Sequence, residues 1–288
     1  MQISFENVSY WHARGNPFEH RALNRISLDI PPGQFVAVMG SAGSGKTTFA
    51  QMVNGLVFPH QGEVKVGSYR IIRKQKDLHF LRSDVGYVFQ YPEHQVVGEN
   101  VFEDISYGLQ RFHHEEKHLS SLVRQMMEFV GLSYEEIKNR SPFRLSRGQM
   151  RRVALAGALI TNPKILILDE PTVALDPKGR IDLLSLIKRL HEQERITIIY
   201  ITHRLEEALE YAERIVVLEQ GKVSADMKPC GVLARLQDLC RAGIVMTPQL
   251  HFMREANKIL PIRIPDHVMK EQQLIDHIIN LFQKSWEE

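Results

Sequence analysis

The sequence is poor in three things, and each shortage excludes a class. Its 288 residues hold only two cysteines, Cys230 and Cys240, which make neither a disulfide framework nor a metal-ligand pairing, so a reducing compartment is the simple expectation. Long hydrophobic runs are missing too: apolar runs such as Ile165 to Leu168 fall far below the ~20 residues of a membrane-spanning helix. No segment is expected to span a bilayer. There is no excess of one charge, because 36 Lys plus Arg against 34 Asp plus Glu leave a formal net charge of +2. A nucleic-acid footprint usually makes a domain clearly basic, so no nucleic-acid partner is expected. Met1-Gln2-Ile3-Ser4-Phe5 lacks a basic region followed by an apolar stretch and a cleavage site, and a secretory signal is not expected. The 13 histidines are scattered, and His113, His114 and His118 sit in a polar stretch that reads as a solvated helix face rather than a metal site.

What remains is an ordinary globular composition, 43% hydrophobic and 24% charged. Ile3, Phe5 and Val8 stand among polar residues as in a strand, and Leu28 and Ile30 lead into the turn Pro31-Pro32-Gly33. Phe35 to Met39 is a continuous apolar run, the pattern of a strand buried on both faces. A glycine-rich turn follows, and from Lys46 the pattern is helical up to Asn54-Gly55, a C-terminal stop. Lys164 to Leu168, Ile196 to Ile201 and Ile215 to Leu218 read as further strands. Ile181, Leu184, Ile187 and Leu190 mark one face of a helix, and Leu205 to Tyr211 forms another helix. Strands alternating with helices predict an α/β fold whose parallel sheet is covered on both faces. Residues 95–160 look mainly helical, with Leu122, Met126, Phe129 and Val130 at helical spacing, and read as a helical insertion. After Ala225, Pro248, Pro261 and Pro265 punctuate short segments, and Leu274, Ile275, Ile278, Leu281 and Phe282 form an amphipathic stripe. The expected organisation is one domain over 1–225 and a small C-terminal domain over 226–288.

The chemistry begins at Gly40-Ser41-Ala42-Gly43-Ser44-Gly45-Lys46-Thr47, which satisfies G-x-x-x-x-G-K-[ST]. The glycines let backbone N–H groups turn inward around phosphate oxygens where side chains would obstruct them. The following helix presents its positive N-terminal end, with Thr48 in its first turn, to the same anion. Lys46 is expected to reach the β- and γ-phosphates of a nucleotide, and the Thr47 hydroxyl to ligate Mg²⁺. A bare glycine-rich turn is the alternative, and the buried strand before it and the helix after it weigh against that. Asp169-Glu170 supplies the second half of the site: an apolar strand ending in carboxylates places Asp169 near Mg²⁺ and Glu170 where it can accept a proton from an attacking water.

With these two motifs in place, the order of the others resembles the ABC transporter ATPases. Leu145-Ser146-Arg147-Gly148-Gln149 resembles their LSGGQ signature, shortly before the Asp169-Glu170 strand. Gln90 in Tyr87-Val88-Phe89-Gln90 matches the Q-loop, Ala174-Leu175-Asp176 the D-loop, and Thr202-His203 the switch histidine. The resemblance covers Ile3 to about Gly221. It implies an α/β P-loop NTPase fold, with a RecA-like parallel sheet, antiparallel N-terminal strands and a helical subdomain over about 95–160. It also implies ATP and Mg²⁺, with Gln90 contacting the metal and the water, His203 holding the γ-phosphate around Glu170, and Asp176 near the nucleotide. Ser146, Gly148 and Gln149 would reach across a dimer to the opposite subunit's nucleotide, so one chain would hold half of each site. Two positions depart from the family pattern. Arg147 stands where glycine is usual and reads as an outward-pointing side chain in preference to a phosphate or carboxylate contact. His12 stands at the aromatic adenine-stacking position, with Tyr10 and Trp11 as neighbours that could substitute.

Finer features resemble the ATPases of energy-coupling factor transporters, importers of vitamins and transition-metal ions. These are Phe89-Gln90-Tyr91-Pro92-Glu93-His94-Gln95, Gln149-Met150-Arg151-Arg152-Val153-Ala154, and the Gly15-to-Leu23 insertion of the second of two paralogous ATPases. The C-terminal region resembles that subfamily's extra, dimer-holding domain. The resemblance implies a homologous ATPase partner in an expected heterodimer, an integral membrane scaffold, a substrate-binding membrane subunit, and a peripheral place on the cytoplasmic face of the cell membrane. The rivals are an ATPase of another ABC importer, which the C-terminal domain and Pro92-Glu93 weigh against, and a non-transport ABC protein acting on ribosomes or DNA. The second rival usually carries two cassettes or a long coiled coil, and its basic cluster would be Arg70, Arg73, Lys74 and Lys76, here read as solvated surface.

Overall fold

The computed structural model describes residues 1–73, 78–112, 116–259, 264 and 273–280. Among them, strands β1 (Ile3–His12), β2 (His20–Ile30), β3 (Phe35–Met39), β4 (Gln61–Val66), β5 (Tyr69–Arg70), β6 (Val85–Val88), β7 (Ile165–Asp169), β8 (Thr197–Ile201), β9 (Arg214–Glu219) and β10 (Lys222–Met227) make two sheets. The antiparallel sheet has the order β2-β1-β4-β5, and the other runs β10-β9-β3-β8-β7-β6, parallel from β9 to β6. Every residue of β3, β6, β7 and β8 is buried. That is why these strands read as unbroken apolar runs: helices or a second sheet cover both faces, so no side chain points to water.

Successive side chains leave a strand on opposite faces, and the core divides accordingly. Val36, Val38, Ile165, Ile167, Ile199 and Ile201 face one apolar cluster, shared with the helix Lys46–Val53 and with Ile3, Phe5, Val8 and Ile26 of the antiparallel sheet. Ala37, Met39, Leu166, Leu168, Ile198 and Tyr200 face the other, against the helices of the insertion and the helix Pro177–Glu194. The insertion contains helices Val101–Ser106, Glu116–Phe129, Tyr134–Ile137 and Arg147–Leu159.

Three details differ from the sequence reading. Ile181 is 58% exposed. At 3.6 residues per turn it lies about 120° around the helix from Ile187, outside the buried arc of Leu183, Leu184, Leu186, Ile187 and Leu190. In Glu116–Phe129 the fully buried positions are Val123 and Met127, followed by Val130, while Leu122, Met126 and Phe129 pack only partly buried against the cluster. The sheet also runs beyond residue 225. Gln220 (φ 48°) and Gly221 (φ 75°) form a two-residue hairpin that adds β10 antiparallel to β9 as far as Met227, and this pair of positive φ values suits the right-handed twist of the flanking strands.

From there Val232, Leu239, Ile244, Leu250, Met253, Ile264 and Leu274 enter the same cluster as the sheet's helical face. The described part of the tail is thus tied to the core of the larger sheet by shared packing. Of the terminal stripe, Leu274 is buried, Ile278 is partly buried and Ile275 is exposed, while Leu281 and Phe282 lie outside the described residues, as do Pro261, Pro265, Lys74, Lys76, His113 and His114. Among the described residues no helix is long and apolar enough to cross a membrane, and no group of three His, Cys, Asp or Glu is placed to hold a metal. Arg70 is exposed and pairs with Glu63 at 2.6 Å, and His118 is exposed.

Candidate functional site

The strand order places the C-terminal ends of β3, β8, β7 and β6 side by side. The loops that leave them therefore gather at one sheet edge, where open α/β sheets hold their ligands. β3 delivers the loop Gly40–Gly45, β8 delivers Thr202-His203, β7 delivers Asp169-Glu170, and β6 delivers Phe89-Gln90.

The loop after β3 needs its glycines for separate reasons. A Cβ on Gly40 would drive into the Leu218 carbonyl and the Ser44 hydroxyl, and one on Gly45 into the Ala22 carbonyl. At Gly43, with φ 76°, a Cβ would meet no protein atom, so that glycine leaves an open face on the loop. Ser44 Oγ is buried without a protein partner, and the first-turn N–H groups of the helix Lys46–Val53 have no intrahelical acceptor. Unpaired donors around an open glycine face, at the positive end of a helix, fit phosphate oxygens. Lys46 is only 8% exposed, and its ammonium donates to the Gly40 and Ser41 carbonyls, each at 2.9 Å. Burial lowers its pKa, with the charges of Glu170 and Asp169 opposing.

Asp169 closes the floor of the site. Its Oδ2 accepts from the Thr47 hydroxyl at 3.0 Å and from the Tyr87 hydroxyl at 3.2 Å. Burial raises its pKa, and these two hydrogen bonds pull the other way. A carboxylate touching a hydroxyl beside a phosphate cradle is the hard oxygen donor set that suits Mg²⁺. Glu170 follows with φ 47°, a left-handed conformation that costs a non-glycine residue about 1–3 kcal/mol and persists only where neighbours impose it. Its N–H donates to the Ile201 carbonyl at 3.0 Å. Its Oε2 accepts from Gln90 Nε2 at 3.3 Å and lies 3.3 Å from His203 Nδ1. One carboxylate oxygen thus joins its own loop to residues from two others, and a carboxylate so placed can take a proton from water.

Two residues of this site escaped the sequence reading. Arg151, on the helix Arg147–Leu159, is buried and donates to three backbone carbonyls: Val173 at 2.7 Å, Gln90 at 3.3 Å and Glu170 at 3.4 Å. The guanidinium fork joins the loops after β6 and β7 to the signature helix. Glu207 accepts from the hydroxyls of Tyr200, Thr172 and Thr202 in the interior beneath the site. Arg151 stands in the sequence only as a member of the stretch Gln149 to Ala154, without a role of its own, and Glu207 only within the helix Leu205–Tyr211; both act on groups that every sequence carries in plenty, carbonyls and hydroxyls.

The remaining candidates lie apart. Ser146 and Gln149 form a capping box, with Ser146 Oγ accepting from the Gln149 N–H at 3.2 Å and Gln149 Oε1 accepting from the Ser146 N–H at 3.0 Å. Ser146 is exposed, a Cβ on Gly148 would meet nothing, and no hydrogen bond among the described residues joins this helix start to the loop Gly40–Thr48. Asp176 is exposed and caps the helix Pro177–Glu194 through the Gly179 N–H at 3.2 Å. Of the aromatic trio, His12 reaches the phosphate-loop helix, with Nε2 3.0 Å from Thr48 Oγ1. Tyr10 packs edge-on to His12 and partly into the core, and Trp11 carries Arg14 and Arg21 over its ring. Arg147 is exposed and lines the same cavity as Asp176. Arg147→Gly is therefore expected to leave nucleotide hydrolysis within about twofold, as for other surface changes; a drop of an order of magnitude would show that the guanidinium makes a functional contact beyond those it has here.

Residues 23–173 match the family model described as ABC transporter. The chain is 42% identical over 255 residues to the energy-coupling factor transporter ATP-binding protein EcfA2 of Clostridium perfringens, covering 88% of this chain and 90% of that protein. To the protein of the same name from Clostridium tetani it is 36% identical, with 98% of each covered. Among solved structures it is similar to cbiO1 from Clostridium perfringens, part of the ABC transporter complex cbiONQ, with a TM-score of 0.72, 30% identity, and 90% of this chain and 95% of that one covered. A post-hydrolysis dimer of the ATP-binding cassette MJ0796 with ADP and Pi gives the same TM-score and identity over 79% of this chain and 98% of that one.

Proposed function

We propose, on the premise that this chain belongs to the ABC transporter family, that it is the ATP-hydrolysing subunit of an energy-coupling factor importer of vitamins or transition-metal ions. The observation that carries the reading is the gathering of Lys46, Asp169, Gln90 and His203 around Glu170 at one sheet edge. The relatives' shared name, borne over nearly their whole length, supplies the transporter class.

ATP would lay its phosphates along Gly40, Ser41, Ala42, Gly43, Ser44 and Gly45, with Lys46 exchanging its two carbonyl acceptors for phosphate oxygens. Charge-assisted bonds to phosphate are stronger than those to neutral carbonyls, so the exchange is favourable. Thr47, Asp169 and Gln90 would hold Mg²⁺, whose positive charge neutralises the phosphate oxygens. His12, against Thr48, and Tyr10 behind it would form the adenine side. Glu170 would accept the proton of the attacking water, while Gln90 and His203 orient its carboxylate.

Ser146, Gly148, Gln149 and Asp176 would serve the nucleotide of a partner ATPase. That role fits a helix start that is capped, exposed and detached from its own phosphate loop. The partner is a homologous ATPase, and the pair docks on an integral membrane scaffold that also carries a substrate-binding membrane subunit, at the cytoplasmic face of the membrane. The tail beyond 225 would help hold the ATPase pair.

Purification of the chain from native membranes, with identification of every associated protein, tests this assembly. A homologous ATPase together with two integral membrane proteins is the expected set. Recovery on ribosomes, or with a periplasmic receptor system, would overturn it.

A further inference from the structure

The helix Leu205–Tyr211 carries Glu207 into the interior, where it is only 4% exposed. Burying a carboxylate is costly unless its oxygens are hydrogen-bonded, and here they are. Oε2 accepts from the Tyr200 hydroxyl at 2.5 Å and from the Thr202 and Thr172 hydroxyls at 3.1 Å, and Oε1 accepts from Thr172 at 3.0 Å. Arg204 Nε approaches Oε1 at 3.8 Å. Burial beside this carboxylate pushes the Tyr200 phenol well above its ordinary pKa, which keeps it a donor.

The donors come from significant places. Thr172 stands two residues after Glu170, Thr202 immediately precedes His203, and Tyr200 lies within β8. One buried carboxylate therefore ties the loop carrying Glu170 to the loop carrying His203, whose side chains meet at 3.3 Å above it in the site. A core that needed only to be filled could use an apolar side chain of similar volume, and buried ionic groups are often no more stabilising than such a replacement. What the hydroxyl–carboxylate cluster adds is fixed separation between two loops.

We propose that Glu207 is a positioning residue of the ATPase, a clamp that sets Glu170 against His203. The proposal rests on the hydrolytic reading given above. Glu207→Gln keeps the shape but replaces an acceptor oxygen by an NH₂ group, which cannot accept from the three hydroxyls. At least one loop must then shift, and small displacements of catalytic groups are expensive in rate.

The test measures ATP turnover and equilibrium ATP binding for the transporter assembled with wild-type chain, E207Q, T202V and E207Q/T202V, with melting temperatures alongside. E207Q is expected to lower kcat about tenfold or more, by misplacement of the base and histidine, with KM and Kd for ATP within twofold of wild type. T202V should give a smaller fall, and the double variant should be no slower than E207Q, because Thr202 acts through Glu207. If E207Q does not assemble, T202V decides alone, since Tyr200 and Thr172 still satisfy the carboxylate. An unchanged kcat, a loss shared equally by ATP affinity, or multiplicative losses in the double variant would each overturn the clamp. A wild-type transporter that hydrolyses no ATP would instead overturn the functional reading.

Discussion

Glu170→Gln is expected to lower ATP turnover by about 10²–10⁴-fold, the range that removal of a positioned general base produces, while ATP still binds. The substitution keeps the side chain's length and planarity. It also keeps one carbonyl oxygen that can accept from Gln90 Nε2, now 3.3 Å from the carboxylate. What disappears is the basic oxygen next to the site of the attacking water. The backbone should tolerate the change, because the left-handed φ of 47° is imposed by the loop and by the N–H bond to Ile201, neither of which involves the side chain. Phosphate release by the assembled transporter measures kcat, and equilibrium titration with ATP measures binding. Undiminished turnover would remove Glu170 as the base. Equal losses of turnover and affinity would make it part of the cradle instead.

The parts of this site that were legible in the sequence are those where chemistry demands a local spacing. A phosphate loop must place glycines and a lysine within a few residues, so Gly40 to Thr47 announces itself. Asp169 and Glu170 are read from an apolar strand that ends in carboxylates, because a strand buried on both faces leaves no polar residue until it emerges at the sheet edge. The contacts that cross between elements were not legible. Arg151 spans from a helix to carbonyls of residues 90, 170 and 173, and carbonyls have no sequence signature. Glu207 looks like a surface residue of a short amphipathic helix until Tyr200, Thr172 and Thr202 are brought around it. Where the tail packs was not legible for a related reason. Prolines at 248, 261 and 265 punctuate short segments and read as a small C-terminal domain, and the described apolar residues from Val232 to Leu274 share a core with strands far earlier in the chain. Composition can show that a segment has apolar residues to bury, but not whose core receives them.

Lys46→Met should abolish useful ATP affinity without unfolding the protein. The ammonium already has two acceptors at 2.9 Å, the carbonyls of Gly40 and Ser41, so it is held within the loop before any phosphate arrives and little side-chain entropy remains to be lost on binding. Each hydrogen bond from a charged group contributes about 1.5–3 kcal/mol, and two such bonds to phosphate correspond to a rise in Kd of about 10²-fold or more at 1.4 kcal/mol per decade. The stability of the free protein should respond far less. Burial is the largest influence on the Lys46 pKa and acts to lower it, so the folded state already disfavours this charge, and replacing it with an apolar side chain removes that penalty. Against this gain stand the two lost carbonyl bonds and the loss of a cation near Asp169 and Glu170. These effects oppose, and the melting temperature of the free chain should move little. Calorimetric titration with ATP and thermal melting of the same K46M sample separate the two quantities. If K46M binds ATP within threefold of wild type, the backbone donors at the helix start hold the phosphates alone; if it melts far lower, the lysine is a structural strut of the loop before it is a ligand for phosphate.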